Sequence, residues 1–156
     1  MNHADAAGGA RPRHVDLPAP PDVDVDVDQP FDLEGLYALR STVAAHASHV
    51  GATSSELEAM VIIASELATN AIRYGDGTGR IRLWHDDHYL YVRIDDQGAG
   101  LADTSTGTIL PEPQRIGGRG LWIVRSLSHD LIIGPGPDGR GTHVTALVRR
   151  GDATSA

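Results

Sequence analysis

The sequence predicts an α+β sandwich: two layers, with helices packed on one face of a mixed, mostly antiparallel sheet. Three observations carry this. Two stretches between residues 33 and 75 repeat apolar residues at helical spacing. From Ile81 onward the period changes to two, as in strands. A Gly-rich junction, Gly117-Gly118-Arg119-Gly120, then leads into a third, short helical stretch before two further strands.

Taken in order, residues 1–30 read as a tail, rich in Ala, Pro, Gly and Asp and too poor in apolar surface to order itself. Within it, Val23-Asp24-Val25-Asp26-Val27-Asp28 alternates strictly, so the part near 23–27 fits either an edge strand or solvated chain. Residues 31–149 form the domain. Asp32 caps a helix from about Leu33 to His49, with Leu36, Leu39, Val43 and Ala47 on one stripe. Gly51 ends it. Ser55 and Glu58 stand at capping-box spacing for a second helix, whose apolar face carries Leu57, Val61, Ala64, Leu67, Ala68 and Ala71. Gly75 closes that helix. Ile81 and Leu83, then Leu90, Val92 and Ile94, alternate around Asp86-Asp87, as in a β-hairpin. Residues 97–117 have no periodicity, and a loop of that length in a compact domain is usually functional or disordered. A helix over about 118–127 and strands near 130–133 and 142–149 complete the domain. Residues 150–156 read as a frayed end.

Composition narrows the function. The net charge is -8, which argues against a direct nucleic-acid binder. There is no Cys, so disulfides and thiolate sites are excluded. There is also no Lys: all 13 basic residues are Arg. A Walker A loop and a bilobal protein kinase each require a Lys at the phosphates, so both are excluded. No long apolar run or signal peptide is evident; a cytoplasmic protein without a membrane segment is expected.

Three short motifs can carry chemistry. Glu66 and Asn70 lie four apart and so share a helix face. An Asn amide oxygen suits Mg²⁺, and a carboxylate one turn away can act as a general base. The same pair is also compatible with an ordinary solvent-facing surface. Asp96 ends a strand and is followed by Gly98 and Gly100. It can accept a hydrogen bond from an exocyclic amine, or it can simply decorate a tight turn. Gly118, Arg119 and Gly120 stand where a loop enters a helix, a natural phosphate site or a flexible linker. The histidines, among them His46 and His49 three apart, are not expected to bind metal, and Trp84 and Trp122 are read as packing residues.

Together, Glu66-x-x-x-Asn70-Ala71, Asp96-x-Gly98-x-Gly100, Gly118-x-Gly120-Leu121 and the pair Gly141-Thr142 resemble the Asn box and the three Gly boxes of the GHKL ATPase superfamily, in the same order over residues 31–149. The phrase Ser65-Glu66-Leu67-Ala68-Thr69-Asn70-Ala71 is most similar to the stand-alone anti-sigma factor serine kinases, and Gly118–Val124 is similar to their small actinobacterial members. The resemblance implies the Bergerat ATP-binding fold, with ATP and Mg²⁺ as cofactors. It implies that Asn70 binds Mg²⁺ and Glu66 is the general base. Asp96 would anchor adenine, with Gly98 and Gly100 shaping its pocket and Thr142 nearby. Gly118, Arg119, Gly120 and Leu121 would surround the phosphates, and residues 101–117 would be the ATP lid. The implied partners are a sigma factor and a STAS-fold antagonist phosphorylated on Ser, and the family commonly forms homodimers. Trp122, where many superfamily members carry a small residue, and the long N-terminal tail depart from the pattern. The expected activity is that of an anti-sigma factor and protein-serine kinase; the alternative is a catalytically silent ATP-binding module that switches partners. A histidine kinase would need a further helical hairpin carrying a phospho-accepting His.

Overall fold

The computed structural model describes residues 24–98, 118–136 and 141–151. Its five strands are β1 (Val27–Asp32), β2 (Thr78–His85), β3 (Tyr89–Asp96), β4 (Asp130–Pro135) and β5 (Thr142–Arg149). They form one sheet in the order β1-β2-β3-β5-β4, and every pairing is antiparallel. The mixed sheet expected from sequence is therefore antiparallel throughout the described strands. Helices α1 (Leu36–His49), α2 (Ser54–Tyr74) and α3 (Gly118–Leu127) cover one face.

The core follows from the two periods. Ile81 and Leu83 of β2, Leu90, Val92 and Ile94 of β3, and Val144, Ala146 and Val148 of β5 meet Leu39 and Val43 of α1, Met60, Ile63 and Leu67 of α2, and Leu121 and Val124 of α3. A smaller cluster of Trp84, Tyr89, Tyr91 and Leu147 forms from residues of opposite parity on the same strands. Trp84 stacks on Tyr91 with ring centroids 5.1 Å apart, a packing role as expected.

The boundaries differ from expectation in four places. The edge strand runs over Val27–Asp32, further along than the Val-Asp alternation suggested, because Phe31 is the residue with a large side chain to bury. Pro30 lacks an N–H, which an edge strand tolerates. The helix expected from Leu33 begins as a 3₁₀ turn, Leu33–Gly35, capped when Gly35 N–H donates to Asp32. The box that starts α2 is Thr53 with Glu56, two residues before the expected pair. Both pairs have the right spacing, but α1 ends early enough to decide between them. Gly51, at φ 87°, forms a Schellman turn in which Ala52 N–H reaches Ala47 O and Gly51 N–H reaches Ser48 O, so the chain is already extended at Thr53. Finally, Arg150 and Gly151, assigned to the frayed end, are tied down: Arg150 donates to the carbonyls of Asp86 and Val50, and Gly151 N–H to Glu56.

No helix among the described residues is long and apolar enough to cross a membrane.

Candidate functional site

Helix α2 sorts the motif Ser65–Ala71 by face. Leu67, Ala68 and Ala71 are buried in the core. Ser65 accepts a hydrogen bond from Arg40 of α1 at 3.0 Å, and the Thr69 hydroxyl donates back to the Ser65 carbonyl at 2.7 Å. Glu66 and Asn70 are left half-buried, one turn apart, on the side that meets α3.

That meeting is close because Gly120 has no side chain. A Cβ there would lie 2.9 Å from Glu66 Oε1 and 3.5–3.6 Å from the amide atoms of Asn70. The first turn of α3 therefore rests on the two polar residues of α2. Arg119 beside it is exposed. Leu121 is 1% exposed and packs in the core, which anchors α3.

The second half of the site surrounds Asp96. This residue ends β3 opposite Thr142, which is buried on β5. Gly98 N–H donates to Asp96 Oδ1 at 2.8 Å, a local turn of the kind Asp favours. Three backbones converge here. A Cβ on Gly98 would come 2.2 Å from Gly75 Cα, and one on Gly75 would come 3.0 Å from the Asp96 Cβ. A Cβ on Gly141, at φ 69°, would come 1.9 Å from the Asp96 carbonyl oxygen. Burial pushes the Asp96 carboxyl above its ordinary range; Asp76 and Asp95 add to this, and the backbone N–H groups of Gly98 and Thr142 oppose it only in part. A partly desolvated carboxylate of this kind favours a further N–H donor.

The structure thus places Glu66, Asn70 and Gly120 together, and Asp96, Gly98 and Thr142 together. The two groups are joined by α2: Asn70 and Gly75 are five residues apart, about 7.5 Å of helical rise. Gly100 and the whole of the expected lid, residues 101–117, lie outside the described residues. Sequence reasoning missed Gly75 as a residue that shapes the site. Its position after an apolar helix marks it as a terminator, yet its φ is −96°, which any residue adopts. It is glycine because a Cβ there would lie 2.3 Å from the Ala71 carbonyl oxygen and 3.0–3.1 Å from the Asp96 side chain. A separate open groove, lined by Ala59, Ile62, Leu127 and His129, contains none of these residues.

This arrangement matches a known family. Residues 29–147 match the model of the histidine kinase-like ATPase domain, and the chain belongs to that family. An ATPase-type nucleotide pocket follows from membership. Among curated relatives, the chain is 31% identical over 125 residues to an anti-sigma F factor of Bacillus licheniformis, covering 73% of this chain and 85% of the relative. It is likewise 31% identical over 109 residues to the anti-sigma F factor of Bacillus subtilis strain 168, covering 64% and 74%. Among solved structures, a chain of the SiaB-SiaC complex from Pseudomonas aeruginosa superposes with a TM-score of 0.58 at 13% identity, covering 80% of this chain and 91% of that one, a likeness of fold.

Proposed function

We propose that this protein is an ATP-dependent protein-serine kinase that also acts as an anti-sigma factor, holding a sigma factor in one nucleotide state and phosphorylating a STAS-fold antagonist in another. The observation that carries the kinase reading is the bare contact between Gly120 and the pair Glu66 and Asn70. It sets a carboxylate and an amide against the first turn of a helix, whose free N–H groups and dipole favour phosphate. The anti-sigma reading rests on the two relatives reported above, both of which bear that name.

The residues present fit ATP. Asp96, with a desolvated carboxylate, suits the exocyclic amine of adenine. Gly98 and Thr142 line that end, with Gly100 following in sequence. Gly118, Arg119 and Gly120 suit the phosphates, with Leu121 holding their helix in the core. Asn70 offers an amide oxygen to Mg²⁺, which would neutralise phosphate charge when bound. Glu66 would accept the proton of a partner serine hydroxyl as its oxygen bonds to the terminal phosphorus and ADP leaves. The protein would do this in the cytoplasm, as a homodimer.

Two measurements test the reading. Affinity capture from the native lysate with Mg·ATP and with Mg·ADP should recover a sigma factor or a STAS protein in a nucleotide-dependent manner. Glu66→Ala should then lower phosphoserine formation on the STAS protein by about 100-fold or more, the scale of a lost general base, while ATP affinity stays within a few-fold. Full activity in Glu66→Ala would remove Glu66 from the chemistry. ATP binding with no phosphoserine from the wild type would leave a silent partner-switching module.

A further inference from the structure

At the end of β2 remote from Asp96, three side chains from distant parts of the sequence converge. Asp26 enters just before β1, its N–H bonded to the Leu83 carbonyl at 2.8 Å. His46 comes from the last turn of α1 and is 7% exposed. His85 ends β2 with the parity of Ile81 and Leu83, which turns it towards the helices. Asp26 Oδ2 lies 2.8 Å from His46 Nε2 and 2.6 Å from His85 Nδ1. All three ligand atoms lie within 4.8 Å of one another.

We infer that Asp26, His46 and His85 form a binding site for a late first-row divalent cation such as Zn²⁺ or Co²⁺. Two imidazole nitrogens and one carboxylate oxygen are a ligand set these ions accept, and a fourth position can hold water. With bonds of about 2.0–2.2 Å, ligand atoms of a tetrahedral site sit about 3.3 Å apart. The Asp26 oxygen would have to retreat from the two nitrogens by roughly half an ångström on that geometry. It stands on chain ahead of the edge strand, and its side chain is 29% exposed. His85, 36% exposed, opens the site to solvent. Without a cation, both rings share one carboxylate oxygen, and His46 Nδ1 is buried with no hydrogen-bond partner among the described residues. A cation on Nε2 leaves that nitrogen equally unsupported. Ligating histidines usually donate their second N–H, and losing such support costs about 10–100-fold in affinity, so the site is weaker than a buttressed zinc centre by that order. Its effect is a clamp: the entering chain, α1 and β2 are held at one point.

The test uses the full chain, free of nucleotide and Mg²⁺, titrated with Co²⁺ and followed by its visible absorption. One equivalent should bind with the intense bands of a four-coordinate site, and Zn²⁺ should displace it. Because His85 and Asp26 are partly exposed, His85→Ala and Asp26→Asn should fold as the wild type does by circular dichroism and bind about tenfold more weakly or worse. His88→Ala, a neighbouring exposed histidine, should leave the titration unchanged. Absence of one-equivalent binding overturns the inference, as does unchanged binding in His85→Ala and Asp26→Asn.

Discussion

Asp96 shows at the scale of one residue how a site is paid for in stability. Burial and two neighbouring carboxylates raise its pKa, so the folded state holds its proton more tightly than the unfolded chain does. The sign follows: this group favours folding at low pH, and that advantage disappears as pH rises through its folded value. At neutral pH the ionised carboxylate is a cost, which a donor from a bound base would offset. Asp96→Asn should therefore leave the apo protein as stable as the wild type or more so at pH 7 in urea titrations. ATP affinity should fall by about 10–100-fold, the worth of a hydrogen bond to a charged group. Unchanged ATP affinity in calorimetry would remove Asp96 from the adenine end. The sequence pointed to this residue through its position at a strand end before two glycines. It did not show the three-backbone convergence, because Gly75, Gly98 and Gly141 are far apart in the chain and each also reads as an ordinary terminator or turn residue.

Between elements, the decisive contact is α3 on α2. Gly120→Ala tests it. An Ala in a helix gains up to about 1 kcal/mol over Gly, and the clash at 2.9 Å falls on the flexible end of Glu66. Stability should therefore hold or rise slightly. Phosphotransfer should fall by about 100-fold, because a displacement of the order of an ångström at a reacting group costs that much. Activity and urea midpoint measured on the same variant separate the two effects. Most elements were legible because their apolar periods are long and clear: α2, the hairpin of β2 and β3, and β5. What escaped were choices between equivalent local signals. Thr53/Glu56 and Ser55/Glu58 have the same spacing, and only the Schellman turn at Gly51 decides between them. The Val-Asp alternation points to a strand, but burial of Phe31 beside Gly79 fixes where it pairs. Asp26, His46 and His85 are separated by 20 and 39 residues, so no spacing rule unites them.

Across the whole molecule, carboxylates set the response to acid. For Asp86, burial works against ionisation, but the hydroxyl of Tyr91 and the N–H groups of His88 and Tyr89 outweigh it and hold the carboxyl below its ordinary range. Asp26, beside His46 and His85, and Asp28, beside Arg80 and Arg82, are lowered in the same way against their own burial. Depressed groups contribute stability above their unfolded pKa, and it is lost as pH falls through the folded value. The urea midpoint should therefore drop below about pH 4, where unfolded carboxylates begin to take up protons. Asp86→Asn should cost about 1 kcal/mol at pH 7 and flatten that slope, because one of the three groups no longer titrates. An equally steep slope in the variant would assign the acid response elsewhere. The 21-residue span of α2 has a different consequence. Glu66, Asn70 and the glycine beside Asp96 hang from one stiff beam capped at its start and buried along one face, so on the proposed reading the two ends of a bound nucleotide would be gauged against a fixed ruler. A change in what occupies that ruler would reach α3 at Gly120, where α3 brings no side chain of its own.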